Sequence, residues 1–471
     1  MLNAALALVV AALEPRVERA IAAIGEKDCP NLYGMITESF QKAAPAPTWP
    51  RWCASVGQLS EFEDLGPKDG WLRFRAASPH GPTRLDIAFD ASGKISGIRA
   101  NPDDTPSAKP DTTSSLDEKL VEIRNRNHLP ALAVLIERPG ESTTVSAVGV
   151  RKLGDPTPVG VNDKWHLGSD TKAMTATLAA LLVEDKKLKW SSTVSEILPD
   201  WRDINPAYAQ VTLELLLAHR SGLPANVPHE TWKKITDPKN TPKERSEAAH
   251  AALRLPPANA SGVFAYSNAG YVVAGVMIER VTGLTWEVAL KKRVFEPLGM
   301  ASCGFGAPAT TGKVDQPWAH RPENNALVAV QPGPESDNPA GMGPAGTVHC
   351  SLADWAKFAE LHLEAERGEK TALLSPESMS KLHTAPPDGK YALGWGVVER
   401  PWAGGKVLTH IGSNTMFYAS VWLVPAKNLL FLVATNSGDE SAEKAINEVL
   451  PYLVERYATR GAVKVTDSRG P

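Results

Sequence analysis

Residues 165–188 read WHLGSDTKAMTATLAALLVEDKKL. Ser169 and Lys172 stand three positions apart, where an apolar helical pattern begins. Positions three apart share a helix face, so the lysine amine can reach the serine hydroxyl. The spacing alone fits both a nucleophile beside its activating amine and a polar helix start. The same S-x-x-K spacing recurs at Ser378 and Lys381 within PESMSKL. About one or two such matches arise by composition in a chain of this size. Partners elsewhere in the sequence must decide.

Acyl transfer needs a nucleophile, a base, and donors for the oxyanion that develops. G-x-S-x-G is absent, which excludes the strand-to-helix nucleophile elbow. A lysine serves as base only where lost water or nearby positive charge lowers its pKa. AYSNAGY at 265–271 holds the one Y-x-N of the chain. Tyr266 is placed to accept or relay a proton. Asn268 is placed to hydrogen-bond Lys172 and a substrate carbonyl, or to cap a helix beginning at Ala269. LTHIGSN at 408–414 supplies a third element. Residues 407–411 read as strand, and Gly412 lets another backbone approach closely. His410 is expected at the rim as a polar group able to carry a positive charge, or within the strand as a residue with a satisfied hydrogen bond. The Ser413 N–H and the Ser169 N–H, at a helix start that favours negative charge, form the expected oxyanion donors.

The order S-x-x-K, Y-x-N, H-x-G resembles the serine β-lactamase and penicillin-binding-protein superfamily, in particular the class C branch with its esterase and D-peptidase relatives. VTLELLLAHRSGLP, VFEPLGM, PAGTVHCSLADWAKF and YALGWGV read like further segments of that family, in its order. The likeness covers residues 116–457. It implies an α+β fold: an antiparallel sheet flanked by helices, with an inserted all-helical region. It also implies a serine hydrolase working through an acyl-Ser169 intermediate. Lys172 and Tyr266 would manage the proton; which of them is the base stays open, and the two can titrate as a coupled pair. The third motif departs from the Lys-Thr-Gly of true β-lactamases. Ile411 lacks the hydroxyl that helps hold a β-lactam carboxylate, so the likeness to esterases and peptidases is stronger. Many relatives carry a second glycine where this chain has Met416; Met416 and Phe417 are expected to narrow the pocket. The implied partner is a small ester, amide or peptide, with β-lactamase or D-amino-acid peptidase activity as an alternative. An acylated sensor without turnover is the alternative from another class.

Several features have simpler readings. Ser336-Asp337-Asn338 sits in the Pro/Gly-rich QPGPESDNPAGMGP and reads as a turn. Ser351 with Asp354 reads as a capping box. His219 and Arg220 read as structural. Trp395 fits either a cleft wall or a buried strand position.

The chain has 471 residues, enough for two or three domains. With 43% apolar and 22% charged residues, it has the composition of a soluble globular chain. A net charge of −3 gives no reason to expect a nucleic-acid partner. No apolar run approaches the roughly 18 residues that span a bilayer. MLNAALALVVAALEP resembles a signal-peptide core with Val10-Ala11-Ala12 as cleavage site, but no basic residue precedes it. A periplasmic or secreted location and an ordinary first helix both remain open. Neither C-x-x-C nor H-E-x-x-H occurs, so no metal and no cofactor is expected. Cys29 and Cys53 are close enough in sequence to pair; Cys303 and Cys350 read as buried thiols.

Residues 1–100 read as a small α+β domain, faintly similar to cystatin-like or nuclear-transport-factor-like folds. Two helices precede the alternating stretches WLRFRAA, TRLDIAFD and KISGIRA. Residues 101–115, NPDDTPSAKPDTTSS, read as a linker. Residues 116–471 then read as the hydrolase domain, with strands at both ends and helices between.

Overall fold

The computed structural model describes residues 15–24, 30–43, 46, 49–65, 67, 70–78, 81–102, 115–237, 239–324 and 326–458. The chain separates into two compact units. One holds the described residues of Met1–Thr113 and Glu443–Pro471; the other is Ser114–Ala442. The C-terminal stretch thus groups with the first unit. The expected leader and Cys29, with its pairing to Cys53, fall outside the described residues.

In the first unit, helix Pro15–Ile24 buries Val17, Ala20 and Ile24 along one stripe. Four strands form an antiparallel meander: β1 (Ser60–Asp64), β2 (Leu72–Ser78), β3 (Gly81–Phe89) and β4 (Ile95–Pro102). Period-two alternation sends Phe74, Ala76, Leu85 and Ile87 into the core. Arg73 lies opposite Asp86 across the β2–β3 register. Helix Trp49–Val56 and the charged β1 are additions to the sequence reading.

The second unit is built on a six-stranded antiparallel sheet. Its strands are β5 (Ala131–Glu137), β6 (Thr144–Gly149), β12 (Gly396–Arg400), β13 (Gly405–Ser413), β14 (Tyr418–Val424) and β15 (Leu429–Thr435). The spatial order is β12-β13-β14-β15-β5-β6. Distant segments therefore meet, with Val433 opposite Val134. Every residue of β15 is buried, as a central strand covered on both faces requires. A smaller sheet joins β7 (Lys164–His166), β11 (Val348–Ser351) and β8 (Gly304–Phe305), in the order β7-β11-β8. A hairpin pairs β9 (Ala319–Glu323) with β10 (Ala326–Val330).

Helix Thr171–Glu184 runs through the middle of this unit and is buried from Thr171 to Leu182. A helix apolar on all sides belongs in a core. Helices Thr241–Arg254, Asn268–Thr282 and Trp286–Leu290 are tied together by the buried Arg245, which pairs with Glu279 and Glu287. Cys303 and Cys350 form a disulfide, which corrects their reading as free thiols. The β8–β11 register sets Gly304 opposite His349 and brings the two cysteine Cα atoms to 4.2 Å. Their separation of 47 residues hid this from the sequence. Among the described residues, no helix is long and apolar enough to cross a membrane.

Candidate active site

β7 carries the chain to the start of the central helix. Gly168 then adopts φ +49°, and a Cβ there would lie 2.4 Å from the Ser413 nitrogen. Residues Gly168–Asp170 make one 3-10 turn before helix Thr171–Glu184. Ser169 sits on that turn, among the unpaired N–H groups of a helix start. The Lys172 Nζ lies 2.9 Å from Ser169 Oγ and donates to the Ala345 carbonyl at 2.7 Å. It also lies 4.9 Å from the centre of the Tyr266 ring. Lys172 is fully buried. Loss of water pushes its amine well below the ordinary lysine range, only partly opposed by the Asp170 carboxyl. Asp170 is buried too, and neither of its carboxyl oxygens has a hydrogen-bond partner among the described residues. Burial raises it well above the usual carboxylate range, against the pull of Lys172.

Tyr266 brings its hydroxyl to Ser169; loss of water at that end raises the phenol, and the Ser169 bond opposes the rise. The residue as a whole remains 38% exposed. His219 braces this segment from beneath. Its carbonyl accepts the Ala265 N–H at 2.8 Å, and its Nδ1 accepts the Ser267 N–H at 3.0 Å, one on each side of Tyr266. The His219 ring lies 4.1 Å from the Tyr266 ring and 4.7 Å from that of Tyr391. A structural role was expected for His219; its place under Tyr266 was not. Asn268 does not reach Lys172. Its amide donates to Asn226 Oδ1 at 2.7 Å. The helix begins at Asn268 rather than Ala269, and the Ser267 hydroxyl caps it by accepting the Gly270 N–H.

The third element closes on the Ser169 turn. A Cβ on Gly412 would meet the Leu167 carbonyl oxygen at 1.9 Å and the Asp170 nitrogen at 2.9 Å. Strand alternation puts His410 on the same face as Gly412. His410 is consequently buried rather than at the rim. Its Nδ1–H donates to the Ile411 carbonyl, and its Nε2 accepts from the Tyr391 hydroxyl, both at 2.9 Å. Burial, and secondarily the neighbouring Lys172, push it down to about 3, which disfavours the charged form. Ile411, on the other face, is 49% exposed. The Ser413 hydroxyl donates to the Phe417 carbonyl and accepts the Thr415 N–H, which leaves the side chain committed to the turn.

Met416 and Phe417 are buried in the hydrophobic core. Trp395 is buried in the same core. Ser351 caps its helix as expected, accepting the Asp354 N–H. The S-x-x-K pair at Ser378 is not assembled: Lys381 pairs with Glu214 at 2.5 Å, while Ser378 contacts Ser375. Ser336 closes a short 3-10 turn. The adjoining Asp337 does more than turn the chain, since it bonds to His166. Among the described residues, no group of three or more His, Cys, Asp or Glu is placed to hold a metal ion.

The family model described as Beta-lactamase matches residues 116–452. The chain belongs to that family. It is thus a serine hydrolase of the β-lactamase family, with the fold that this membership entails. The chain is 25% identical over 337 residues to Penicillin-binding protein 4 of Amycolatopsis lactamdurans, covering 68% of this chain and 84% of that protein. It is 25% identical over 370 residues to Unguisins hydrolase ungD' of Aspergillus campestris. That match covers 73% of this chain and 65% of the fungal protein, just under two thirds of its length. The octameric penicillin-binding protein homologue from Pyrococcus abyssi aligns with a TM-score of 0.57 and 25% identity. There the coverage is 70% of this chain and 76% of the archaeal one.

Proposed function

We propose that this β-lactamase-family chain cleaves ester or amide bonds of small acyl substrates through an acyl-Ser169 intermediate, and that its preference is esterase-like. The observation that carries this reading is a fully buried amine 2.9 Å from a serine hydroxyl at a helix start. A neutral Lys172 donates one hydrogen to the Ala345 carbonyl and offers its lone pair to the Ser169 O–H. The alkoxide that forms attacks the carbonyl carbon. The Ser169 and Ser413 N–H groups receive the oxyanion; one such donor is worth roughly 10²–10³-fold in rate. The leaving group takes its proton from the Lys172–Tyr266 pair, and water then releases the acyl group by the reverse path.

Ile411 presents no hydroxyl at the third motif, which supports an ester or uncharged amide over a β-lactam carboxylate. The likeness to a penicillin-binding protein keeps β-lactamase or D-amino-acid peptidase chemistry as the second reading. A sensor that is acylated but not turned over is the third. The Cys303–Cys350 bond supports a periplasmic or secreted location, where disulfides persist. Residues 1–100 are read as an accessory domain that the C-terminal stretch joins; residues 103–114 of the 101–115 linker lie outside the described residues.

A substrate panel tests these readings. A short-chain p-nitrophenyl ester is expected to turn over faster than a chromogenic cephalosporin or a D-amino-acid amide, and Ser169→Ala to abolish all three. Faster cephalosporin hydrolysis selects the second reading. A stable acyl adduct without turnover selects the third.

A further inference from the structure

Two residues with buried side chains that this scheme leaves unused stand beside the Ser169 turn. His166 ends β7, three positions before Ser169, and its side chain is fully buried. The Gly168 N–H lies 3.0 Å from His166 Nδ1. An amide N–H can only donate, so Nδ1 must accept and the ring proton sits on Nε2. That proton is given to Asp337 Oδ1 at 2.5 Å. The same oxygen accepts the Asn338 N–H at 2.6 Å, and the Asn338 amide donates to the Gly346 carbonyl at 2.7 Å. The neighbouring Ala345 carbonyl is the one that receives Lys172. One loop therefore holds both ends of the nucleophile turn: Lys172 through Ala345, and Gly168 through Asp337 and His166.

Resting on Ser169 as the nucleophile, we infer that His166 and Asp337 are positioning residues for it. Gly168 lies in the left-handed region, where a chain without a side chain has many alternatives. The imidazole acceptor fixes its peptide plane. The next peptide carries the Ser169 N–H, so the same contact aims both the oxyanion donor and the hydroxyl. The Asp337 carboxylate locks the imidazole tautomer. Without it, the ring can place its proton on Nδ1, facing another N–H.

The experiment compares His166→Asn, His166→Gln and Asp337→Leu by thermal denaturation, steady-state ester kinetics and the rate of fluorophosphonate labelling at Ser169. Asparagine sets its amide oxygen near the Nδ1 position and keeps the Gly168 acceptor. Glutamine reaches Asp337 but leaves Gly168 without one. His166→Asn is expected to stay within roughly 10-fold of wild type. His166→Gln and Asp337→Leu are expected to lose about 10²-fold in kcat and labelling rate with KM little changed, the effect of an ångström-scale misplacement. Equal losses in the Asn and Gln variants that follow their melting temperatures would overturn the inference, as would wild-type rates in all three. Wild-type protein that is not labelled at Ser169 refutes the nucleophile assignment itself, and the inference with it.

Discussion

Replacing Gly412 with alanine tests whether β13 truly closes on the Ser169 turn. The added Cβ would sit 1.9 Å from the Leu167 carbonyl oxygen. A carbon–oxygen contact needs about 3.3 Å, so the shortfall is about 1.4 Å. The next obstacles are Asp170 Oδ2 at 2.7 Å and the Asp170 nitrogen at 2.9 Å. Two of these three atoms are backbone and cannot swing aside, so the strand or the turn must move by more than about 1 Å. Gly412 lies outside the left-handed region, so lack of space is the only penalty. Overpacking of this kind costs about 1–3 kcal/mol of stability. A 1 Å displacement of reacting groups costs about 10²-fold in rate. Gly412→Ala is therefore expected to lower kcat/KM for a p-nitrophenyl ester at least about 10²-fold, with a measurable fall in Tm. Gly160→Ala serves as control, because its nearest neighbour would be the Asp163 carboxylate at 3.9 Å. If Gly412→Ala keeps the kcat/KM and Tm of wild type, the close approach is wrong and the oxyanion role of Ser413 falls with it.

Burial holds Lys172 well below the ordinary lysine value of 10.5, and on the proposed mechanism its neutral form is the reactive one. Activity should fall as pH drops through that depressed value, while Lys172→Arg, charged throughout, loses roughly 10²–10⁴-fold and the pH dependence; kcat/KM across a pH series checks both. Between the depressed value and 10.5 the unfolded chain binds the extra proton, so this residue makes stability rise with pH in that window. Urea unfolding of wild type and Lys172→Met over the same series should show that slope disappear. Tyr266→Phe removes the hydroxyl that meets Ser169 and is expected to reduce kcat about 10²–10⁴-fold with KM little changed, read by ester kinetics. Opening the Cys303–Cys350 link, which spans 47 residues, should cost about 4 kcal/mol on the chain-entropy argument. Urea unfolding of the double Cys303→Ala, Cys350→Ala variant measures it.

Local patterns carried the sheet, the central helix and the pairing of Ser169 with Lys172, because helix and strand periodicities are properties of neighbouring residues. Gly412 was legible for a related reason: a missing side chain in a strand signals a close approach. His410 was misplaced because the same residue type fits a rim or a buried face. Only the register against the Ser169 turn decides between them. Asn268 reads as a ligand of Lys172 until its neighbour Ser267 is seen capping the helix. The contacts of His166 with Asp337, and of Lys172 with the Ala345 carbonyl, bridge 171 and 173 positions. A backbone carbonyl leaves no mark in sequence at all, and histidine and aspartate in separate segments do not announce each other. The disulfide was hidden by the same distance along the chain.

The most direct measurement is peptide mass spectrometry after fluorophosphonate treatment of the purified chain. A single adduct is expected on the peptide carrying Ser169, forming more slowly in Tyr266→Phe and absent in Ser169→Ala. Undiminished labelling of Ser169→Ala, or an adduct carried by Ser378 instead, would contradict the assignment of the nucleophile.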